Sequence, residues 1–184
     1  GTVGGSFYML GVGFLYFSTG TLNMGEMQEL LTDDASARSV QAGAALIFVG
    51  LGLKMAVVPM HLWLPDSYSV APSSVNTLIA PIMTKVGAYA MIRMFMSVFP
   101  DGYLKDVVPV ADALLVLGLI GIIFGSVAAM SQKDIRRMLA YSSISQIALI
   151  AVGIGLGSPL GLVAALLHIM NHAVMKATLF MAAA

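Results

Sequence analysis

The sequence predicts an all-α fold, a polytopic bundle of transmembrane helices. Three observations predict it. Of 184 residues, 59% are hydrophobic and 10% charged, where a soluble domain carries about a quarter charged residues. The mean hydropathy is +0.92. The apolar residues gather into six stretches of about 20, the length a helix needs to cross a hydrocarbon core about 30 Å thick. The formal net charge is zero, which suggests neither a nucleic-acid partner nor an acidic substrate. With no cysteine, disulfides, thiolate metal sites and iron–sulfur ligation are excluded.

The predicted spans run in order from Thr2 to Leu22, Val40 to Met60, Val75 to Phe99, Val107 to Met130, Leu139 to Leu156 and Leu160 to Ala183. Glycine recurs in all of them, as close helix packing in lipid allows. The connections are short and polar: NMGEMQELLTDDASARS, PDSYSVAPSS, PDGYLKD, SQKDIRR and a GSP turn. SQKDIRR sets Lys133, Arg136 and Arg137 against Asp134, and the first connection sets Glu26, Glu29, Asp33 and Asp34 against Arg38. The basic loop is therefore expected on the cytoplasmic side, with PDSYSVAPSS, and the acidic connection outside. Trp63 falls at an interface. The chain opens on an apolar run without an initiating methionine and stops within another, so residues 1–184 are read as one transmembrane domain, an internal piece of a longer protein.

The second span is interrupted. GLGLKMAVVPMHLWLPDSYSVAP contains Pro59, which has no N–H to give and clashes with the preceding turn, then His61, Pro65 and Pro72. A kink or unwound stretch is expected near Val58 to Leu62. Such a break at membrane depth is tolerated where protein or a watery cavity satisfies the freed backbone groups, and it points to transport sites as readily as to a packing kink.

The ionisable residues sort by depth. Lys54 falls within the second span and Lys85 near the middle of the third, while His168, His172 and Lys176 run along the sixth; every carboxylate lies in or near a loop. A central lysine costs about 2.5 to 3.5 kcal/mol on insertion scales, so each is a functional hypothesis by default. Arg93, near a helix end, can snorkel. Buried cations without an anion repel, so an acidic partner is expected from helices or subunits beyond this chain.

His168, His172 and Lys176 are spaced by four and form one polar stripe, with Asn171 beside it. Steps of about 6 Å are too long for direct proton transfer, so hydroxyls or waters are needed between them. Tyr141, Ser142, Ser143, Ser145 and Gln146 of the fifth span are the candidates. Histidines at i and i+4 also have metal-ligand spacing, but no glutamate follows His168 and Lys176 would oppose a cation, so no metal site is assigned. Helix-bridging hydrogen bonds are the other reading. A proton relay suits histidine, whose ordinary pKa is about 6.5. No cofactor site and no redox or hydrolytic site is read in the chain.

The runs KMAVVPMHLWLPDSYSVAPSSVNTLIAPIMTKVGAYAMIR, QKDIRRMLAYSSISQ and HIMNHAVMKATLF resemble the antiporter-like membrane subunits shared by respiratory complex I, membrane-bound hydrogenases and Mrp-type sodium/proton antiporters. The resemblance covers essentially the whole chain. It implies about fourteen helices with inverted repeats, of which these would be the sixth to eleventh. Lys54 would be the lysine of the broken seventh helix and Lys85 that of the eighth. His168, His172 and Lys176 would lie on the central axis, with acidic and exit-side partners in flanking helices.

Lys85 stands where one branch carries histidine, which inclines the reading to a D-type protein of the Mrp antiporters, with a proton-pumping membrane subunit of complex I or of a membrane-bound hydrogenase as the alternative and a non-conducting scaffold as the rival of another class. The implied partners are other membrane subunits, the lipid bilayer, protons and, as a second ion, sodium. The implied location is a bacterial or archaeal plasma membrane.

Overall fold

A computed structural model describes residues 1–33, 37–100 and 102–183. Asp34, part of the acidic connection, lies outside the described residues. The described chain is helical throughout: α1 (Thr2–Thr19), α2 (Met24–Asp33), α3 (Arg38–Met55), α4 (Trp63–Val70), α5 (Ser73–Ser97), α6 (Tyr103–Asp106), α7 (Val110–Met130), α8 (Ile135–Gly155) and α9 (Pro159–Ala182).

Four helices, α5, α7, α8 and α9, are long and apolar enough to cross a membrane. The first two predicted spans give shorter helices, α1 and α3, of 18 residues each. Each stops at a residue in the left-handed conformation, Gly20 and Ala56. Eighteen residues still rise about 27 Å. The acidic first connection, expected only as a loop, folds into α2, with Asn23 Oδ1 accepting the Gly25 N–H at 3.1 Å.

The break lies where proline predicts it and begins slightly earlier. α3 ends at Met55, and Ala56 takes φ 64° and ψ 44°. The Val57 N–H closes back on the Gly52 carbonyl at 3.1 Å, so the end resembles a Schellman cap with alanine where glycine is usual. The helix resumes at Trp63, after a cis peptide at Val58–Pro59. Pro65 sits in the first turn of α4, where a missing N–H costs no hydrogen bond. Trp63 is not simply an interface anchor: its indole N–H donates to the Leu53 carbonyl at 2.9 Å, tying α4 to the end of α3.

The helices pair through glycine. α1 packs along α3 and α7 along α8, the two most extensive pairings, while α9 lies against both α5 and α8. At Gly50 the backbone of α1 comes so close that an added Cβ would stand 2.6 Å from the Tyr8 nitrogen and 2.7 Å from the Gly4 oxygen. A buried cluster of Leu15, Ile47, Met91, Leu114 and Ile150 joins α1, α3, α5, α7 and α8, and a second holds Ala56, Tyr68, Ala80, Leu139 and Phe180 around the break.

The ends of the bundle are tied separately. Arg137 pairs with Asp66 at 3.1 Å and Arg136 donates to Ser73 Oγ at 2.6 Å, so the basic loop meets α4 and the start of α5. At the far end of α5, Gln28 of α2 donates to the Phe99 carbonyl at 3.4 Å. PDSYSVAPSS and SQKDIRR therefore share one end, as the charge pattern predicts.

Candidate functional site

The second cluster contains the two residues whose carbonyls anchor the site, Ala80 and Leu139. Lys85 of α5 and Lys176 of α9 are both buried, at 4% and 2% exposure. The Lys85 ammonium donates to the Ala80 carbonyl at 3.1 Å, and that of Lys176 to the Leu139 carbonyl at 2.9 Å. Among the described residues no carboxylate pairs with either. The two are close enough to interact electrostatically, and Lys85 also acts on His168 and His172. The packing of α5 on α9 thus assembles four of the five predicted pathway residues.

Local sequence explains both ammonium contacts. In a helix, Ser and Thr hydroxyls commonly turn back to the carbonyl four residues earlier. Ser143 does so, donating to Leu139 O at 3.0 Å, so its hydroxyl and Lys176 share one acceptor. Thr84 would reach the Ala80 carbonyl in the same way. Lys85 takes that carbonyl instead, and the Thr84 hydroxyl is buried without a partner. Pro81, buried one residue on, further loosens the α5 hydrogen-bond ladder by removing an N–H.

Along α9, one and two helical turns before Lys176, stand two histidines. His168 and His172 stack with centroids 5.9 Å apart and planes 11° from parallel. Both ring nitrogens of His172, and Nε2 of His168, are buried with no hydrogen-bond partner. A buried polar atom is normally satisfied by protein or ordered water, so this seam is chemically suited to hydration.

Lys54 sits apart. It is exposed, beside Gly4, Leu53, Trp63 and Met83, in a cavity of about 270 Å³. Its backbone touches α5 at Gly87, two residues beyond Lys85 and so about 200° around the helix. The body of α5 thus separates Lys54 from the buried pair.

The supporting residues divide as well. Ser143 joins Lys176, whereas Ser145 turns to α7, sharing a hydrogen bond of 2.9 Å with Ser126. Tyr141 is half-buried and packs edge-on to Phe124 of α7, which packs in turn on His61 of the break. Ser142 and Gln146 are half-buried, and Asn171 is exposed on α9. Arg93 is exposed, as snorkelling requires. Sequence reasoning missed Thr84, whose signal was adjacency to Lys85. It also missed Tyr68 and Phe180, the latter one further step of four along the stripe.

The whole chain, residues 1–184, matches the family described as NADH:quinone oxidoreductase/Mrp antiporter, TM. The chain belongs to this family. Among its members, NADH-quinone oxidoreductase subunit N of Desulforudis audaxviator is 44% identical over 98% of this chain and 36% of its own length. A chain of the membrane-bound sulfane sulfur reductase, an archaeal respiratory membrane complex, superposes with a TM-score of 0.88 at 36% identity, over 98% of this chain and 37% of that one. A chain of the Mrp complex from Dietzia sp. gives 0.87 at 28% identity, over 97% and 32%. The chain thus spans about a third of the length of the relatives it matches. Those relatives are subunits of multi-subunit membrane complexes, and this chain is an antiporter-like integral membrane segment of the same kind.

Proposed function

We propose that this chain carries the central part of a proton-translocating route within a larger antiporter-like protein. Lys85, His168, His172 and Lys176 hold and pass the proton, and Lys54 is a separate site at the outer face of the broken helix. The observation that carries the reading is the pair of buried lysines on two packed helices, with two stacked histidines on the helix that bears Lys176. Two cations held only by carbonyls repel, so loading one with a proton favours release from the other. Moving one charge across 100 mV involves about 2.3 kcal/mol, a load that a few such coupled sites can transmit.

Ser143, bonded to the carbonyl that holds Lys176, is the supporting hydroxyl that the geometry favours. Tyr141, Ser142, Ser145, Gln146 and Asn171 support the route less directly. Pro59, His61 and Pro65 shape the break that interrupts the second span. Lys54, open at the bundle surface, meets an acidic side chain from elsewhere in the parent assembly. Domain 1–184 acts there as one transmembrane unit, beside other membrane subunits, in a bacterial or archaeal plasma membrane.

The ion is the proton, with sodium as its counter-ion if the parent is of the Mrp type. The 44% identity to a subunit N favours a quinone-oxidoreductase-type parent as the second reading, in which the redox steps belong to other subunits. The test is flux in vesicles containing the assembled parent complex. Lys85→Ala and Lys176→Ala each abolish proton flux, and Arg93→Ala leaves it unchanged. Unchanged flux in both lysine variants at equal assembly would overturn the relay and favour a scaffold. Sodium counter-flux lost together with proton flux identifies the Mrp type.

A further inference from the structure

The buried face of α9 that carries the polar stripe continues beyond Lys176. Phe180, four residues on, is 2% exposed and occupies the same face of α9. Against its edge lies the ring of Tyr68 from α4, with centroids 5.8 Å apart and planes 88° to one another. Tyr68 is itself 2% exposed, and its hydroxyl is buried without a hydrogen-bond partner. A buried tyrosine hydroxyl usually finds one.

The surroundings of that hydroxyl are specific. Tyr68 shares one buried cluster with Ala80 and Leu139, the residues whose carbonyls hold the Lys85 and Lys176 ammoniums. Its backbone is fixed by the buried Asn76, whose side-chain amide donates to the Tyr68 carbonyl. Two residues earlier, exposed Asp66 pairs with Arg137 at the end of the bundle that carries the basic loop. Tyr68 thus shares the cluster that holds both lysine-bearing carbonyls and lies two residues from the side chain that ties α4 to the basic loop.

We propose that Tyr68 is the relay hydroxyl through which the Lys85 and Lys176 pair exchanges protons with the basic-loop end of the bundle. A phenol can accept a proton's hydrogen bond from one side while donating its own to the other, so it carries a proton onward without a net change of charge. Its ring, pinned by Phe180, keeps that hydroxyl in place. The inference rests on the proton-route reading above.

Tyr68→Phe keeps the ring and its contact with Phe180 and removes only the hydroxyl. In vesicles of the assembled complex it is expected to lower proton flux at least about tenfold. The rate should also change its pH dependence, which a packing defect would not produce. Lys85→Ala and Lys176→Ala run alongside. If these abolish flux while Tyr68→Phe matches the parent, the Tyr68 inference alone fails; if the lysine variants also retain full flux, the route itself fails. An independent readout uses the native tyrosine: its phenol C–O infrared band, in a ring-labelled complex, should shift when Lys85→Gln removes the charge at the head of the route. An unmoved band overturns the proposal even if Tyr68→Phe does not assemble.

Discussion

Two carbonyls, Ala80 and Leu139, decide which residues around them can act. Each carries a buried ammonium and each lies four residues before a hydroxyl, Thr84 and Ser143. Only Ser143 reaches its carbonyl, at 3.0 Å, so it shares an acceptor with Lys176. Ser145, on the other side of α8, instead bonds Ser126 across the α7–α8 contact. The two serines are therefore predicted to separate. Ser143→Ala should slow proton flux about fivefold, the weight of one lost hydrogen bond of about 1 kcal/mol, with little change in thermal stability. Ser145→Ala should cost about 1 kcal/mol of stability and slow flux less than Ser143→Ala does. Flux assays and thermal unfolding of the purified complex check both, and equal effects of the two substitutions would show that Ser143 has no special place.

The sequence made much of this residue-level picture legible. Spacing by four placed His168, His172 and Lys176 on one face, and the structure brings Lys85 to them across α5 and α9. The separation of Lys54 could not be read, because it depends on which side of α5 meets α3, a matter of tertiary packing at Gly87. Nor could the fates of Tyr141, Ser145 and Asn171. Period alone sorts residues into faces but does not say which neighbour each face meets.

At the scale of elements, the glycines set how closely helices approach. Gly4, Gly11, Gly43 and Gly50 line the α1–α3 contact, and an added Cβ at any of them would meet a neighbouring atom within 3.1 Å. Gly13, on the same helix as Gly4 and Gly11, has nothing within 4 Å. Gly50→Val is predicted to force α1 away from α3 and to cost about 1 to 3 kcal/mol, read as a lower melting temperature or a reduced yield of assembled complex. Gly13→Ala, facing open space, should be tolerated or slightly stabilising, by up to about 1 kcal/mol. Similar losses in both would mean that the contact between the two helices is not what the small residues serve. Proline was the other element-level signal. It located the broken helix, but the break starts at Ala56 rather than Val58, because the left-handed cap turns the chain before Pro59 can act as a stop.

For the whole molecule, charge and topology assign the two ends independently. The basic loop between α7 and α8 is bonded to α4 and the start of α5, and α2 is bonded to the end of α5. Twenty-five residues of α5 rise about 37 Å, enough to put these ends on opposite faces of a bilayer. The excess of Lys and Arg at the first end predicts a cytoplasmic position for it. Lys133 and Lys105 are both exposed, on the α7–α8 loop and on α6 respectively. Residues 1–184 hold no cysteine, so one introduced at either position is the sole thiol of this segment, and the unsubstituted parent serves as the labelling blank. A membrane-impermeant thiol reagent applied to intact cells should label Lys105→Cys and spare Lys133→Cys, and the order should reverse in inverted vesicles. Tyr68, Lys176 and the basic loop would then stand toward the cytoplasm. Labelling of both positions from one side would overturn this arrangement, because α5 could not then span the membrane between them.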